Sequence, residues 1–182
     1  MNLPNILTLS RILMIPLMVV SFYWFGPDGK IGAAVLFALA AVTDWFDGYL
    51  ARKLNQTTPL GAFLDPVADK LIVAVALVLL VEHFSSMWLT IPASIIVGRE
   101  IVISALREWM AELGKRANIA VSYVGKVKTA LQMASITILM ASGDHPLLIE
   151  AGYATLYLAA VLTIWSMLVY LRAAWPELRG KA

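Results

Sequence analysis

Four aspartates stand inside or at the ends of apolar segments in one stretch of the chain: Asp44, Asp47, Asp65 and Asp69. Carboxylates are costly in a bilayer, and where they occur there they face a bundle interior or a wet cavity. Gathered together, the four would repel one another unless a cation sat among them. Hard divalent ions such as Mg²⁺ take oxygen ligands, so metal binding is the simplest chemistry for the set. Asp44 and Asp47 are three residues apart and Asp65 and Asp69 four apart, which places each pair on one helix face. Gly48 and Ala51 follow beside the first pair, and Gly61 and Ala62 precede the second. Small residues there let a second helix, or a bulky phosphate, approach the backbone closely. Arg52 ends the first segment, where a guanidinium can hold phosphate in a bidentate grip or simply reach for the headgroups. Metal plus arginine beside a bilayer points to a phosphate-bearing substrate whose tails lie in lipid. Taken singly, Asp65 before Pro66 could be a helix cap and Asp69 could pair with Lys70. Four carboxylates at these spacings make a more specific pattern than either local role.

The elements that must position these groups are membrane helices. The chain has 182 residues, 60% of them hydrophobic, against about 45–50% in soluble domains. The excess lies in long runs, and a spanning helix needs about 20 such residues. After an interfacial lead-in at Asn2–Ser10, the first span is expected to end near Phe25. Further spans follow at about Ile31–Leu50, Gly61–Val81, Trp88–Trp109, Ser122–Ala141 and Ile149–Leu171. Gly26-Pro27-Asp28-Gly29 reads as a turn, Lys53–Pro59 as a polar loop and the end of the chain as a short polar tail. His83 and His145 read as loop residues. The whole chain, 1–182, is read as a single six-helix membrane domain. Asn5 and Arg11 interrupt the first apolar run and no small-residue cleavage site follows, so this segment is expected to stay in the mature protein. No cysteine is present, which excludes disulfides, thiolate metal sites and cysteine nucleophiles.

Charge sets the expected orientation. With six spans, Arg11, Arg52, Lys53, Lys115, Arg116, Arg172, Arg179 and Lys181 fall on one side, and the opposite loops hold Lys30 with Asp28, Glu82, Asp144 and Glu150. Positive residues mark the cytoplasmic side, so both termini and the aspartate pairs are expected there. No convincing internal repeat is visible, which counts against a transporter.

The pattern Asp44-x-x-Asp47-Gly48-x-x-Ala51-Arg52, then eight residues and Gly61-x-x-x-Asp65-x-x-x-Asp69, resembles the signature of the CDP-alcohol phosphotransferases with every position filled. Pro4-Asn5-x-x-Thr8-x-x-Arg11, Arg99-Glu100-Ile101, Leu106-Arg107-Glu108 and Gly125-Lys126-Val127-Lys128-Thr129 are similar to the bacterial branch of that family that makes phosphatidylglycerophosphate. The resemblance thins out after about Met133. It implies an all-α fold of six transmembrane helices with a polar cavity open to the cytoplasm, in a homodimer in the bacterial inner membrane. It implies transfer of a phosphatidyl group from CDP-diacylglycerol to glycerol 3-phosphate with Mg²⁺ or Mn²⁺, one or two ions. Asp44, Asp47 and Asp65 are the implied metal ligands. Asp69 is the implied general base and is also an implied metal contact. Gly48, Ala51 and Gly61 would leave room for the nucleotide, with Arg52 beside it.

The acceptor's own phosphate needs cations, and Arg99, Arg107 and Lys126 are the candidates. Arg99 could instead form a buried pair with a carboxylate such as Glu100. Lys128, two residues from Lys126, points elsewhere on its helix. Asn5, Thr8 and Arg11 share a helix face and could bind the nucleotide or anchor the lead-in helix at the headgroups. The same chemistry with inositol phosphate, serine or a lipid as acceptor is one rival reading. A divalent-cation carrier and a non-catalytic membrane scaffold are the others. Carboxylates clustered at one face, with apolar outer halves, oppose a carrier. A complete signature has no explanation in a scaffold. No nucleic-acid motif is present.

Overall fold

The computed structural model describes residues 3–54, 59–114 and 123–179; side chains at 3–4, 45–54, 59–60, 62 and 123–124 lie outside the description. These residues form six helices: α1 Leu3–Trp24, α2 Gly26–Leu54, α3 Pro59–Phe84, α4 Met87–Glu112, α5 Tyr123–Ala141 and α6 Pro146–Leu178. Long apolar runs with few breakers favour this outcome, because a helix satisfies its own backbone polar groups without water. Among the described residues, three helical stretches are long and apolar enough to cross a membrane: Asn5–Trp24, Met87–Glu112 and Pro146–Leu178. The other helices carry the charges on which the sequence reading turned, Asp44 on α2, Asp65 and Asp69 on α3, and Lys126 and Lys128 on α5.

Several expected boundaries move. The lead-in and the first span are one continuous helix, α1, and Pro16 within it does not end it. Gly26-Pro27-Asp28-Gly29 is the first turn of α2 and not a separate loop. Gly26 has φ 61°, a left-handed conformation that glycine adopts without a Cβ penalty, and the chain reverses there in a single step. His83 sits in the last turn of α3, and α6 continues past Leu171 through the expected polar tail. The α3–α4 corner takes two residues, Ser85 and Ser86. Ser85 has φ 42°, and Ser86 caps α4 by accepting from the Trp88 N–H at 3.3 Å.

α1 packs against α2 and α3, and α6 against α4 and α5, with α2 and α3 meeting α5 between them. One core of Met18, Phe22, Phe37, Ile72, Leu80, Ile96, Leu139 and Leu156 draws on all six helices. The buried polar groups Asn5, Thr8, Arg11, Arg99, Lys128 and Gln132 lie nearer the other end of their helices. The bundle is thus divided along its length into an apolar half and a polar half. Outward faces carry Leu13, Val78, Ile101, Val161 and Trp165, each well exposed, as a lipid-facing surface requires. At the apolar end, the Lys30 ammonium lies 3.2 Å from His83 Nε2. Burial, and then Lys30 itself, push the His83 imidazole below its ordinary pKa, which leaves it neutral and able to accept from Lys30.

α1 and α2 approach closely at Ser21. A Cβ placed on Gly29 would stand 2.1 Å from the Ser21 carbonyl oxygen, while Ser21 Oγ donates to the Gly29 carbonyl at 2.8 Å. A Cβ on Gly152 would meet only the Leu139 and Ile138 side chains, nearest at 2.6 Å, and a side chain can rotate away. Gly29→Ala is therefore expected to destabilise the protein by about 1–3 kcal/mol. Gly152→Ala should cost less, and thermal unfolding of both variants in detergent checks the order.

Candidate active site

α1 enters the polar half with three buried polar residues one helical turn apart, Asn5, Thr8 and Arg11. Thr8 Oγ1 donates to Asp65 on α3. Arg11 Nη1 lies 3.2 Å from Asp44 Oδ1 on α2, and the same nitrogen contacts Asp69 on α3. The Arg11 side chain is 1% exposed, whereas those of Asp44 and Asp69 are 42% and 40% exposed. The guanidinium is therefore buried behind the carboxylates, and the carboxylates face an opening. That opening is a cavity of about 350 Å³, lined by Asp44, Asp65 and Asp69 on one side and by Glu100, Arg107, Lys128, Thr129 and Gln132 on the other, with Lys70 between.

The second wall is an ion network. Glu100 Oε1 accepts from Arg99 Nη1 at 2.8 Å and from Lys128 Nζ at 2.7 Å. Arg99 also reaches Ser166 Oγ on α6 at 3.3 Å, and its guanidinium lies 5.8 Å from the Tyr170 ring centroid. Arg107 donates to the Tyr170 hydroxyl at 2.9 Å and stacks over the same ring. Lys70 donates to Ser104 on α4 and so ties the two walls together.

The expected site residues fall into distinct groups. Asp44, Asp65, Asp69 and Arg107 meet on the cavity. Asn5 and Thr8 are buried on α1, and Thr8 touches one of the aspartates. Gly61 is buried in the first turn of α3. The expectations placed on Asp47, Gly48, Ala51 and Arg52 fall outside the described side chains, although their backbone belongs to α2. Arg99 is buried behind the wall in a pair with Glu100, the alternative weighed for it above. Lys126 is exposed and does not line the cavity. Lys128, expected to point elsewhere, does line it. α5 turns Lys128 inward together with Gln132, four residues on and on the same face. Sequence reasoning also passed over Glu100 and Gln132 as cavity residues. The four-residue spacing of Lys128 and Gln132 was the one trace of this in the sequence, and it does not say which face turns inward.

Half-exposed carboxylates and a hydroxyl form a hard-oxygen donor set, which fits Mg²⁺ or Mn²⁺. Among the described residues no three acidic or histidine side chains close around one point. Two of them, Asp44 and Asp69, already share a cation in Arg11.

This arrangement, carboxylates from a helix hairpin facing cations across a cleft, accompanies a family match over nearly the whole chain. Residues 1–165 match the family model described as CDP-alcohol phosphatidyltransferase, and the chain belongs to that family. Among its relatives, a Yersinia pestis protein is 55% identical over 178 residues, covering 98% of this chain and 97% of its own. An Escherichia coli (strain K12) protein is 54% identical over 178 residues, with 97% of each chain covered. A Sodalis glossinidius protein is 56% identical, again over 178 residues, with 98% and 97% coverage. All three are named CDP-diacylglycerol–glycerol-3-phosphate 3-phosphatidyltransferase.

Glu100 compensates two cations at once, both largely shielded from water. Removing one partner of a buried pair leaves the other uncompensated, at a cost of about 3–5 kcal/mol. Glu100→Gln is expected to lose that much in denaturant or thermal unfolding, and Glu100→Gln with Lys128→Met should recover part of it.

Proposed function

We propose that the chain transfers the phosphatidyl group of CDP-diacylglycerol to sn-glycerol 3-phosphate, giving phosphatidylglycerophosphate and CMP. The observation that carries this reading is the meeting of α2 and α3 carboxylates with Arg107 and Lys128 on one cavity. One wall suits a metal-bound diphosphate and the other an acceptor that brings its own phosphate. The shared name of relatives more than half identical supports the same reaction. The proposal includes six membrane-crossing helices in a single domain, with the cavity and both termini facing the cytoplasm of a bacterial inner membrane. It also includes a homodimer, as the family resemblance implies.

In this reading Asp44, Asp47 and Asp65 hold one or two Mg²⁺ or Mn²⁺ ions against the diphosphate. The bound ion supplies charge neutralisation on the reacting phosphoryl group and on departing CMP. Gly48, Ala51 and Gly61 give the nucleotide close access to the backbone, with Asn5, Thr8 and Arg52 around it. Lys128 and Arg107 grip the phosphate of glycerol 3-phosphate. Arg99 serves the same wall indirectly, by sharing Glu100 with Lys128. Asp69, open to the cavity, takes the proton from the acceptor's primary hydroxyl. The hydroxyl oxygen bonds to the phosphorus that carries diacylglycerol, and the bond from that phosphorus to CMP breaks. The proton stays on Asp69 until it passes to solvent.

Purified protein with CDP-diacylglycerol and Mg²⁺ is expected to release CMP with glycerol 3-phosphate and not with glycerol, inositol phosphate or serine. A chelator should stop release, and Mg²⁺ or Mn²⁺ should restore it. Asp69→Asn should lower the rate by about 10²-fold or more. Lys128→Met should raise KM for glycerol 3-phosphate about ten- to a hundredfold. Release with a different acceptor would keep the family chemistry and replace the acceptor.

A further inference from the structure

Gln132 lines the cavity and is 4% exposed, yet its side-chain Oε1 is buried with no hydrogen-bond partner among the described residues. Buried polar groups are paired as a rule, and an orphan in a functional cavity calls for a partner beyond the described residues. The neighbouring hydroxyl cannot serve, because Thr129 Oγ1 donates to the Gly125 carbonyl at 2.9 Å. Lys128, one turn earlier on the same face, directs its ammonium to Glu100 at 2.7 Å and makes no hydrogen bond to the Gln132 oxygen. An amide oxygen only accepts, so whatever satisfies it must donate: a hydroxyl, an amine or a water that a substrate hydroxyl would displace.

We infer that Gln132 is a specificity-determining residue that accepts a hydrogen bond from the secondary hydroxyl of the acceptor. The inference rests on the acceptor assignment made above. Residues four apart on a helix are separated by about 6 Å along its axis. A ligand whose phosphate sits on Lys128 and Arg107 therefore presents to Gln132 a group only a few bonds from that phosphate. In glycerol 3-phosphate that group is the C2 hydroxyl. It is not consumed, since the primary hydroxyl makes the new bond, so it is available for recognition throughout the reaction. A site that hydrogen-bonds a substrate hydroxyl discriminates strongly against an analogue lacking it.

The test compares glycerol 3-phosphate with 3-hydroxypropyl phosphate, which keeps the phosphate and the primary hydroxyl and lacks the C2 hydroxyl. CMP release is measured with full-length wild type, Gln132→Leu and Gln132→Met in mixed micelles of CDP-diacylglycerol. Wild type is expected to favour glycerol 3-phosphate by at least about tenfold in kcat/KM. In the variants that ratio should fall close to one, chiefly through a higher KM for glycerol 3-phosphate with kcat little changed. The methionine variant is unbranched like glutamine and serves if the leucine variant does not fold. A ratio unchanged by substitution, or no preference in wild type, overturns the inference. So does a raised KM for CDP-diacylglycerol with the ratio intact, which would give Gln132 to the nucleotide. If wild type releases no CMP with glycerol 3-phosphate, the acceptor assignment itself fails and this inference with it. Normal release with an unchanged ratio sinks the inference alone.

Discussion

Arg11 is buried where α1, α2 and α3 meet, and one of its nitrogens touches both Asp44 and Asp69. A lone guanidinium in that position would be costly to desolvate, and two facing carboxylates without a cation would repel each other. Each makes the other tolerable, and the helices that carry them are fixed as a consequence. Thr8 extends the arrangement to Asp65, so α1 orders three of the four aspartates. The helix whose polar face could have bound nucleotide or anchored at the headgroups is the scaffold of the carboxylate wall.

The opposite wall follows the same rule with the signs reversed. Glu100 is the single anion shared by Arg99 and Lys128, and aromatic Tyr170 receives both arginines on its face. A polar cavity inside an apolar bundle is therefore held open by two compensated clusters of opposite excess. One offers oxygen ligands and the other offers cations. A substrate with a diphosphate at one end and a partner with its own phosphate at the other match that polarity.

Much of this was legible in the sequence because helices have a fixed period. The spacing of Asp44, Asp65 and Asp69 requires convergence once α2 and α3 form a hairpin, and hydropathy supplies that hairpin. Which lysine of α5 faces inward was not legible. Lys126 and Lys128 lie two residues apart on a helix apolar on most sides, so periodicity names two faces without saying which neighbour each meets. The sharing of Glu100 between Arg99 and Lys128 was hidden for a similar reason, since it depends on the rotation of α4 against α5. Helix limits failed where composition misled. Gly26-Pro27-Asp28-Gly29 has the residues of a turn, but proline and glycine are equally at home in a first helical turn.

The tight seating of Gly29 on Ser21 has a mechanical consequence. At one end of α1 the backbones of α1 and α2 are in contact with no space to spare, and at the other Arg11 is bound to α2 and α3. A rod pinned at two points can neither slide along its axis nor rotate about it. α1, α2 and α3 thus behave as a stiff frame, with α4, α5 and α6 as a second body leaning on it through α2 and α3. The carboxylates belong to the frame, and Arg107 and Lys128 belong to the leaning body. The gap between the carboxylates and these two cations is then set where α2 and α3 meet α4 and α5, and not within either half.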